Sequence, residues 1–177
     1  RPPGVLGRIG FFGHQRPARG VEILPDLIRA LLAQGYEVVV HDSGGSIRGK
    51  DGHPRLTLLG YLDDFAAELA RCDLVVWPSR REAYTHCMSG VVSEAIASGV
   101  PVVVPAGCIP ARIVARQGAG IEYHTHTSSA ILAALAEAAR DFAGLSARAR
   151  AAADAWHAQN GSERLAEWID LQLRNWN

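Results

Sequence analysis

Two spacings of apolar residues alternate along this chain. Short runs stand at Arg8–Gly13 (RIGFFG), Tyr36–Asp42 (YEVVVHD), Arg55–Leu62 (RLTLLGYL), Leu74–Pro78 (LVVWP), Val100–Pro105 and Gly120–His124. They are too short for helices, several are β-branched, and they read as strands. Between them the spacing becomes helical. Ile23, Leu24, Leu27, Ile28, Leu31 and Leu32 mark a helix over Val21–Gln34, stopped by Gly35. Asp63 or Asp64 caps a helix to about Arg71, and further helices are expected over Gly90–Ser98, Pro110–Gln117 and Thr127–Phe142, the last capped by Thr127 or Ser128. The polar segment Ser43–Pro54 holds four glycines and reads as loop. Strands alternating with helices predict an α/β fold, a Rossmann-like doubly wound parallel sheet of about six strands with helices on both faces. The near-continuous apolar character of the first two and last two strands fits a sheet covered on both sides.

The tail breaks the alternation. Ser146–Ala158 and Ser162–Trp176 both read as helices, so residues 143–177 form a C-terminal helical extension. They carry Trp156, Trp168 and Trp176. Trp156 is expected to pack on this domain; Trp168 and Trp176 are divided evenly between this domain and a partner domain that is absent.

The length, 177 residues, suits one domain, residues 1–177, and the 48% apolar content suffices for a full core. Eighteen basic residues balance eighteen acidic ones, so no overall field draws nucleic acid or an anionic membrane. No apolar run approaches the length of a membrane span. The opening Arg1-Pro2-Pro3-Gly4 reads as a linker rather than a signal peptide, with something upstream removed. Cys72, Cys87 and Cys108 make no paired motif and read as reduced thiols, Cys108 as a small core residue. His124 and His126 read as members of a solvated loop rather than as metal ligands, and no metal site is expected.

In open parallel sheets ligands bind beyond the carboxyl ends of the strands. After the first strand come Gly13, His14, Gln15, Arg16, Pro17, Ala18, Arg19 and Gly20. Glycine allows close backbone approach, and arginines before a helix N-terminus suit a diphosphate; a solvated turn is the plainer alternative. The segment is neither a GxGxxG fingerprint nor a P-loop. After the fourth strand, Ser89-Gly90 opens a helix with free N–H groups, a second anion cradle. Glu94, one turn into that nearly all-apolar helix, is expected to be buried and to need partners, such as the vicinal hydroxyls of a ribose. Gly60, Tyr61 and Leu62 offer backbone and an aromatic ring to a flat base.

Laid out in this order, residues 7 to 142 resemble the C-terminal domain of retaining glycosyltransferases of the GT-B fold, the glycosyl transferases group 1 family. The most specific stretch is Pro78-Ser79 followed by Glu94-Ala95-Ile96-Ala97-Ser98-Gly99-Val100-Pro101-Val102-Val103. It is similar to the family's P-S…E-A-x-A-x-G-x-P-V-V signature. Arg19-Gly20, Gly60, Cys72-Asp73 and Gly107…Ile109-Pro110 add weaker matches. The resemblance implies a ribose-binding role for Glu94. It implies diphosphate contacts from His14, Arg16, Arg19, Gly20, Ser89 and Gly90, and base contacts from Gly60, Tyr61 and Leu62. It also implies a nucleoside-diphosphate sugar as donor substrate, no required cofactor or metal, and an N-terminal acceptor-binding domain as partner. One departure stands out. His86, not glutamate, lies eight positions before Glu94, and Glu82 lies twelve before it. Either the loop is longer here or that role has moved; Glu82 and His86 are the candidate catalytic residues.

The implied activity is transfer of a hexosyl group from a UDP- or GDP-sugar type donor to an acceptor hydroxyl, in polysaccharide or glycoconjugate synthesis. The isolated domain is expected to be inactive. The implied location is the cytoplasm, with approach to the inner membrane face through the missing domain. A sugar-nucleotide epimerase domain of the same fold and a non-catalytic nucleotide-binding scaffold remain as alternatives.

Overall fold

The computed structural model describes residues 4–47 and 52–176, with the side chains of Asn175 and Trp176 excepted. The expected linker at Arg1–Pro3, part of the glycine-rich loop, and the side chain of Trp176 therefore lie outside the described residues. Six strands, β1 Arg8–Phe11, β2 Glu37–His41, β3 Leu56–Leu59, β4 Leu74–Val76, β5 Val102–Pro105 and β6 Gly120–Tyr123, form one sheet in the order β3-β2-β1-β4-β5-β6. Every pairing is parallel. The helices are α1 Leu24–Ala33, α2 Phe65–Ala70, α3 Gly90–Ala97, α4 Ile109–Gln117, α5 Ser128–Arg140, α6 Phe142–Asn160 and α7 Ser162–Trp176.

Alternation along the strands divides the core in two. Ile9, Phe11, Val38, Val40, Leu74, Val76 and Val103 pack under α1 and α5. Val39, Val75, Val102 and Val104 face the other way, under α2, α3, α4 and most of α6. Because both faces are covered, the strands carry apolar residues at successive positions. Caps fix where helices begin: Asp64 accepts from the Ala67 N–H at 2.9 Å, and Thr127 from the Ala130 N–H at 3.3 Å.

Two helix starts depart from expectation. α1 begins at Leu24 rather than Val21, because a 3-10 turn over Pro17–Arg19 and a left-handed Gly20 (φ +72°) take up the preceding chain. α6 begins at Phe142 rather than Ser146: Asp141 caps the Gly144 N–H at 3.2 Å, and Phe142 and Leu145 turn into the core. Ala149 and Ala152 on the same helix fill the opposite cluster, with Trp156 packed at its margin. α6 is thus built into the domain. α7 is different: Leu165, Trp168, Ile169, Leu171 and Leu173 on it are 45–59% exposed.

Candidate functional site

The strand order reverses between β1 and β4, and the loops leaving these two strands meet above that point. In the β1 loop, the buried Gln15 side chain donates to the Gly13 carbonyl at 3.0 Å and to the His41 carbonyl at 2.9 Å, tying the loop to the end of β2. His14 and Arg16 are exposed beside it. Arg19, the last residue of the 3-10 turn, reaches back over Gly13. A Cβ on Gly13 would lie 2.6 Å from Arg19 Nη1 and 3.1 Å from Val91 Cγ2, so this turn abuts both the guanidinium and the first turn of α3. The Arg19 guanidinium carbon lies 5.8 Å from the Trp77 ring centre and 5.6 Å from that of Tyr84. Its Nε and Nη1 are closed off from solvent and have no hydrogen-bond partner among the described residues. Buried donors are ordinarily paired, so this guanidinium is short of an acceptor.

The β4 loop is laced to its neighbours. The Tyr123 hydroxyl donates to the Ser79 carbonyl at 3.0 Å and approaches that of Trp77 at 3.4 Å. His126 Nε2 lies 2.9 Å from the Pro78 carbonyl. The Arg80 N–H donates to the Ala18 carbonyl at 3.1 Å, and its guanidinium pairs with Glu22. Gly20 sits against the same segment, and a Cβ there would collide with the Pro78 carbonyl oxygen. Its N–H already donates to the Pro17 carbonyl at 3.0 Å. Gly20 therefore offers no free N–H to a ligand, and its smallness serves the packing of the two loops. Nor do Arg16 and Arg19 stand at the start of α1, which begins five residues after Arg19, at Leu24. The charge over the crevice comes from the side chain of Arg19 itself.

α3 points its N-terminus into this junction. Ser89 is buried, and its Oγ accepts from the Val92 N–H at 3.4 Å. The Ser89 hydroxyl is thus used as the cap, which leaves the Gly90 and Val91 N–H groups at the open end. Glu94 is half-buried rather than fully buried, and its carboxylate has no hydrogen bond or ion pair among the described residues. Between β4 and α3 a second 3-10 turn, Arg81–Tyr84, carries the buried Tyr84 inward while Glu82, His86, Cys87 and Met88 are exposed. Glu82 pairs with Arg81 at 3.1 Å, and its carboxyl is held below the ordinary range by its own backbone, then by Arg81.

Gly60, Tyr61 and Leu62 follow β3, at the same edge but beyond β2. Gly60 is exposed, Tyr61 is 87% exposed, and Leu62 is half-buried against the core. His41, at the end of β2, stacks edge-on to Phe65 at 5.8 Å. Burial lowers its pKa, opposed in part by the Gly60 backbone and by Asp42. Cys108 is fully buried and Cys72 nearly so. Burial raises the pKa of both thiols, that of Cys72 to about 11. His124 is exposed as expected, whereas His126 is half-buried against the β4 loop and is not a freely solvated residue.

The structure therefore brings Gly13, Arg19, Ser89 and Gly90 to one junction, with Glu94 one helical turn along. It leaves Glu82 and His86 on the solvent side of an adjoining loop, and Gly60–Leu62 at the far end of the same edge. Sequence reasoning gave no role to Trp77, Tyr84 or Tyr123, and it read His126 as solvated. A tryptophan closing a strand immediately before Pro78-Ser79 was the one available signal, and it reads equally well as core. Among the described residues no group of three or more His, Cys, Asp or Glu side chains is placed to hold a metal ion. No helix among them is long and apolar enough to cross a membrane.

Comparison with known proteins gives the same fold. Sucrose-phosphate synthase from Thermosynechococcus elongatus is similar over 98% of this chain and 46% of its own, at 17% identity and a TM-score of 0.74. Anabaena HepE, solved in complex with UDP, is similar over 96% of this chain and 49% of its own, at 20% identity and a TM-score of 0.72. The glycotransferase of kitacinnamycin is similar over 97% and 44%, at 24% identity and a TM-score of 0.64. The chain thus spans less than half the length of each of these proteins. No curated protein sequence matches it. The family model described as glycosyl transferases group 1 matches residues 6–141, which include both crevice loops, α3 and the whole sheet. The chain belongs to the glycosyl transferases group 1 family.

Proposed function

We propose that this chain is the donor-binding half of a glycosyltransferase, which moves a sugar from a nucleoside-diphosphate sugar to an acceptor hydroxyl. The observation that carries this reading is Arg19. Two nitrogens of its half-buried guanidinium, Nε and Nη1, are closed off from water and unpaired among the described residues, beside the Gly13 turn that abuts the first turn of α3. A half-buried cation with two unmatched donors near free helix N–H groups suits an anion such as a diphosphate. Glu94, also unpaired, stands where a ribose attached to that diphosphate would present two hydroxyls. Gly60, Tyr61 and Leu62 would meet the base. The likeness to HepE, solved with UDP and with UDP-glucose, supports a donor of that type.

In this reading the charge that develops on the leaving diphosphate is stabilised by Arg19 and by the N–H groups of Gly90 and Val91, with His14 and Arg16 adding charge at the rim. Glu82 and His86 lie on the loop that faces the transferred sugar. The acceptor is held by an N-terminal domain that completes the cleft, so this chain alone binds donor and does not turn it over. The epimerase alternative requires a proton donor and acceptor at the sugar; Glu82, exposed and held in its ionised form beside Arg81, is poorly suited to donate. A cytoplasmic location, close to the inner membrane face through the missing domain, accords with the three free thiols.

The test is calorimetric titration with UDP, GDP, ADP and CDP of the wild-type chain, Glu94→Ala and Arg19→Ala. One diphosphate binds saturably, and each substitution weakens it at least about tenfold, or 1.4 kcal/mol. Failure of all four to bind up to millimolar concentration, or equal binding by both variants, contradicts the reading.

A further inference from the structure

We propose that Trp77 and Tyr84 are positioning residues that hold the Arg19 guanidinium in its anion-binding pose; this rests on the donor-binding reading above. An arginine side chain is long, and ordering it costs rotamer entropy. The Arg19 side chain makes no hydrogen bond or ion pair among the described residues that would meet that cost. What surrounds its guanidinium is two aromatic rings, with centroids at 5.8 and 5.6 Å, and the side-chain-free Gly13. Both distances lie within cation–π range, and a planar guanidinium can lie against both rings.

The rings are themselves fixed. Trp77 is 1% exposed and Tyr84 6%. They meet edge to face, 4.5 Å apart at an interplanar angle of 70°. Trp77 follows the end of β4, and its own carbonyl and that of Ser79 are held by the Tyr123 hydroxyl from the end of β6. Tyr84 arrives on the second 3-10 turn. The arrangement accounts for an otherwise costly feature, a half-buried guanidinium without a counter-ion. The rings take up part of its charge in the empty state, and they leave its N–H edge unspent for the phosphates. They also exclude water, so the attraction to an anion is less screened than at an open surface. Tyr84 lies on the same turn as Glu82, so the loop facing the transferred sugar and the residue gripping the diphosphate share one aromatic contact.

The experiment is a double-mutant cycle on the 177-residue chain, read by calorimetric titration with the nucleoside diphosphate that binds and with its parent nucleoside. Tyr84→Leu keeps an apolar side chain and removes the ring; Tyr84→Phe keeps the ring. Tyr84→Leu is expected to weaken the diphosphate about tenfold and to leave the nucleoside within about twofold. Tyr84→Phe should match the wild type, and Tyr84→Leu should add nothing once Arg19→Ala is present. The inference is overturned if Tyr84→Leu leaves diphosphate affinity unchanged, if it weakens diphosphate and nucleoside alike, or if it costs as much in the Arg19→Ala background. A drop with Arg19→Ala but none with Tyr84→Leu sinks only this inference. Failure of the wild-type chain to bind any nucleoside diphosphate sinks the donor-binding reading with it. Urea unfolding of each variant separates loss of fold from loss of positioning.

Discussion

The Tyr123 hydroxyl, at the end of β6, donates to the Ser79 carbonyl at 3.0 Å, although β5 lies between β6 and β4. With His126 on the Pro78 carbonyl, this ties the far half of the sheet to the loop beneath Arg19. Replacing a buried donor leaves its acceptors short, which costs about 1 kcal/mol or somewhat more. Tyr123→Phe is therefore expected to lower the urea unfolding free energy by about 1 kcal/mol while the far-UV circular dichroism stays the same. An unchanged midpoint would show that water serves the two carbonyls equally well.

Gly20 and Gly107 both sit in the left-handed region, at φ +72° and +81°, but only Gly20 is crowded. Alanine at Gly107 meets open space and carries the conformational cost alone, about 1 kcal/mol. Alanine at Gly20 adds a collision with the Pro78 carbonyl, so a loss above about 2 kcal/mol is expected, or no soluble protein. Equal midpoints for the two variants would contradict the packing described for the β1 and β4 loops.

Burial holds the pKa of His41 below its ordinary value of 6.5. The unfolded chain takes up this proton near that value, and the native chain only at lower pH. Between the two the unfolded state binds more protons, so stability is full above about pH 6.5 and falls as the pH drops below it. The urea midpoint should decline between about pH 7.5 and 5.5, and decline less in His41→Asn. A wild-type slope no steeper than that of His41→Asn would remove His41 from the account.

Thiol labelling separates the three cysteines. Cys87 is exposed, whereas Cys72 and Cys108 are buried, with both thiols pushed to higher pKa. Under native conditions iodoacetamide should modify Cys87 alone, with Cys72 and Cys108 reacting only in denaturant. Early labelling of Cys108, followed by peptide mass spectrometry, would mean that the β5–α4 turn opens.

The sheet was readable in the sequence because both its faces are covered: Val38, Val39 and Val40, or Val102, Val103 and Val104, leave no polar position to confuse the period. The caps were readable to within one residue, as Asp63 or Asp64 and as Thr127 or Ser128, because residue type marks a helix start; the structure uses Asp64 and Thr127. Short 3-10 turns at Pro17–Arg19 and Arg81–Tyr84 were not, since three or four residues carry no period. The start of α6 was expected at Ser146, whereas Asp141 caps the Gly144 N–H and brings it forward to Phe142. At the candidate site, Arg19, Ser89, Gly90 and Glu94 could be picked out by residue type and position after a strand. The Trp77–Tyr84–Arg19 stack and the reach of Tyr123 and His126 across β5 could not. Arg19 meets rings that stand 58 and 65 residues further along the chain, and the Tyr123 and His126 contacts span 44 and 48 residues, separations that no local spacing reports.

The most direct test of the account is a heteronuclear NMR titration of the labelled chain with the nucleoside diphosphate that binds it. The largest shifts should fall on the Gly13, Gly90 and Val91 amides and on the Arg19 Nε–H, with smaller ones around Glu94. Shifts gathered instead at the opposite edge of the sheet, around Asp73, Ser98 and Arg150, with the Arg19 Nε–H unmoved, would contradict it.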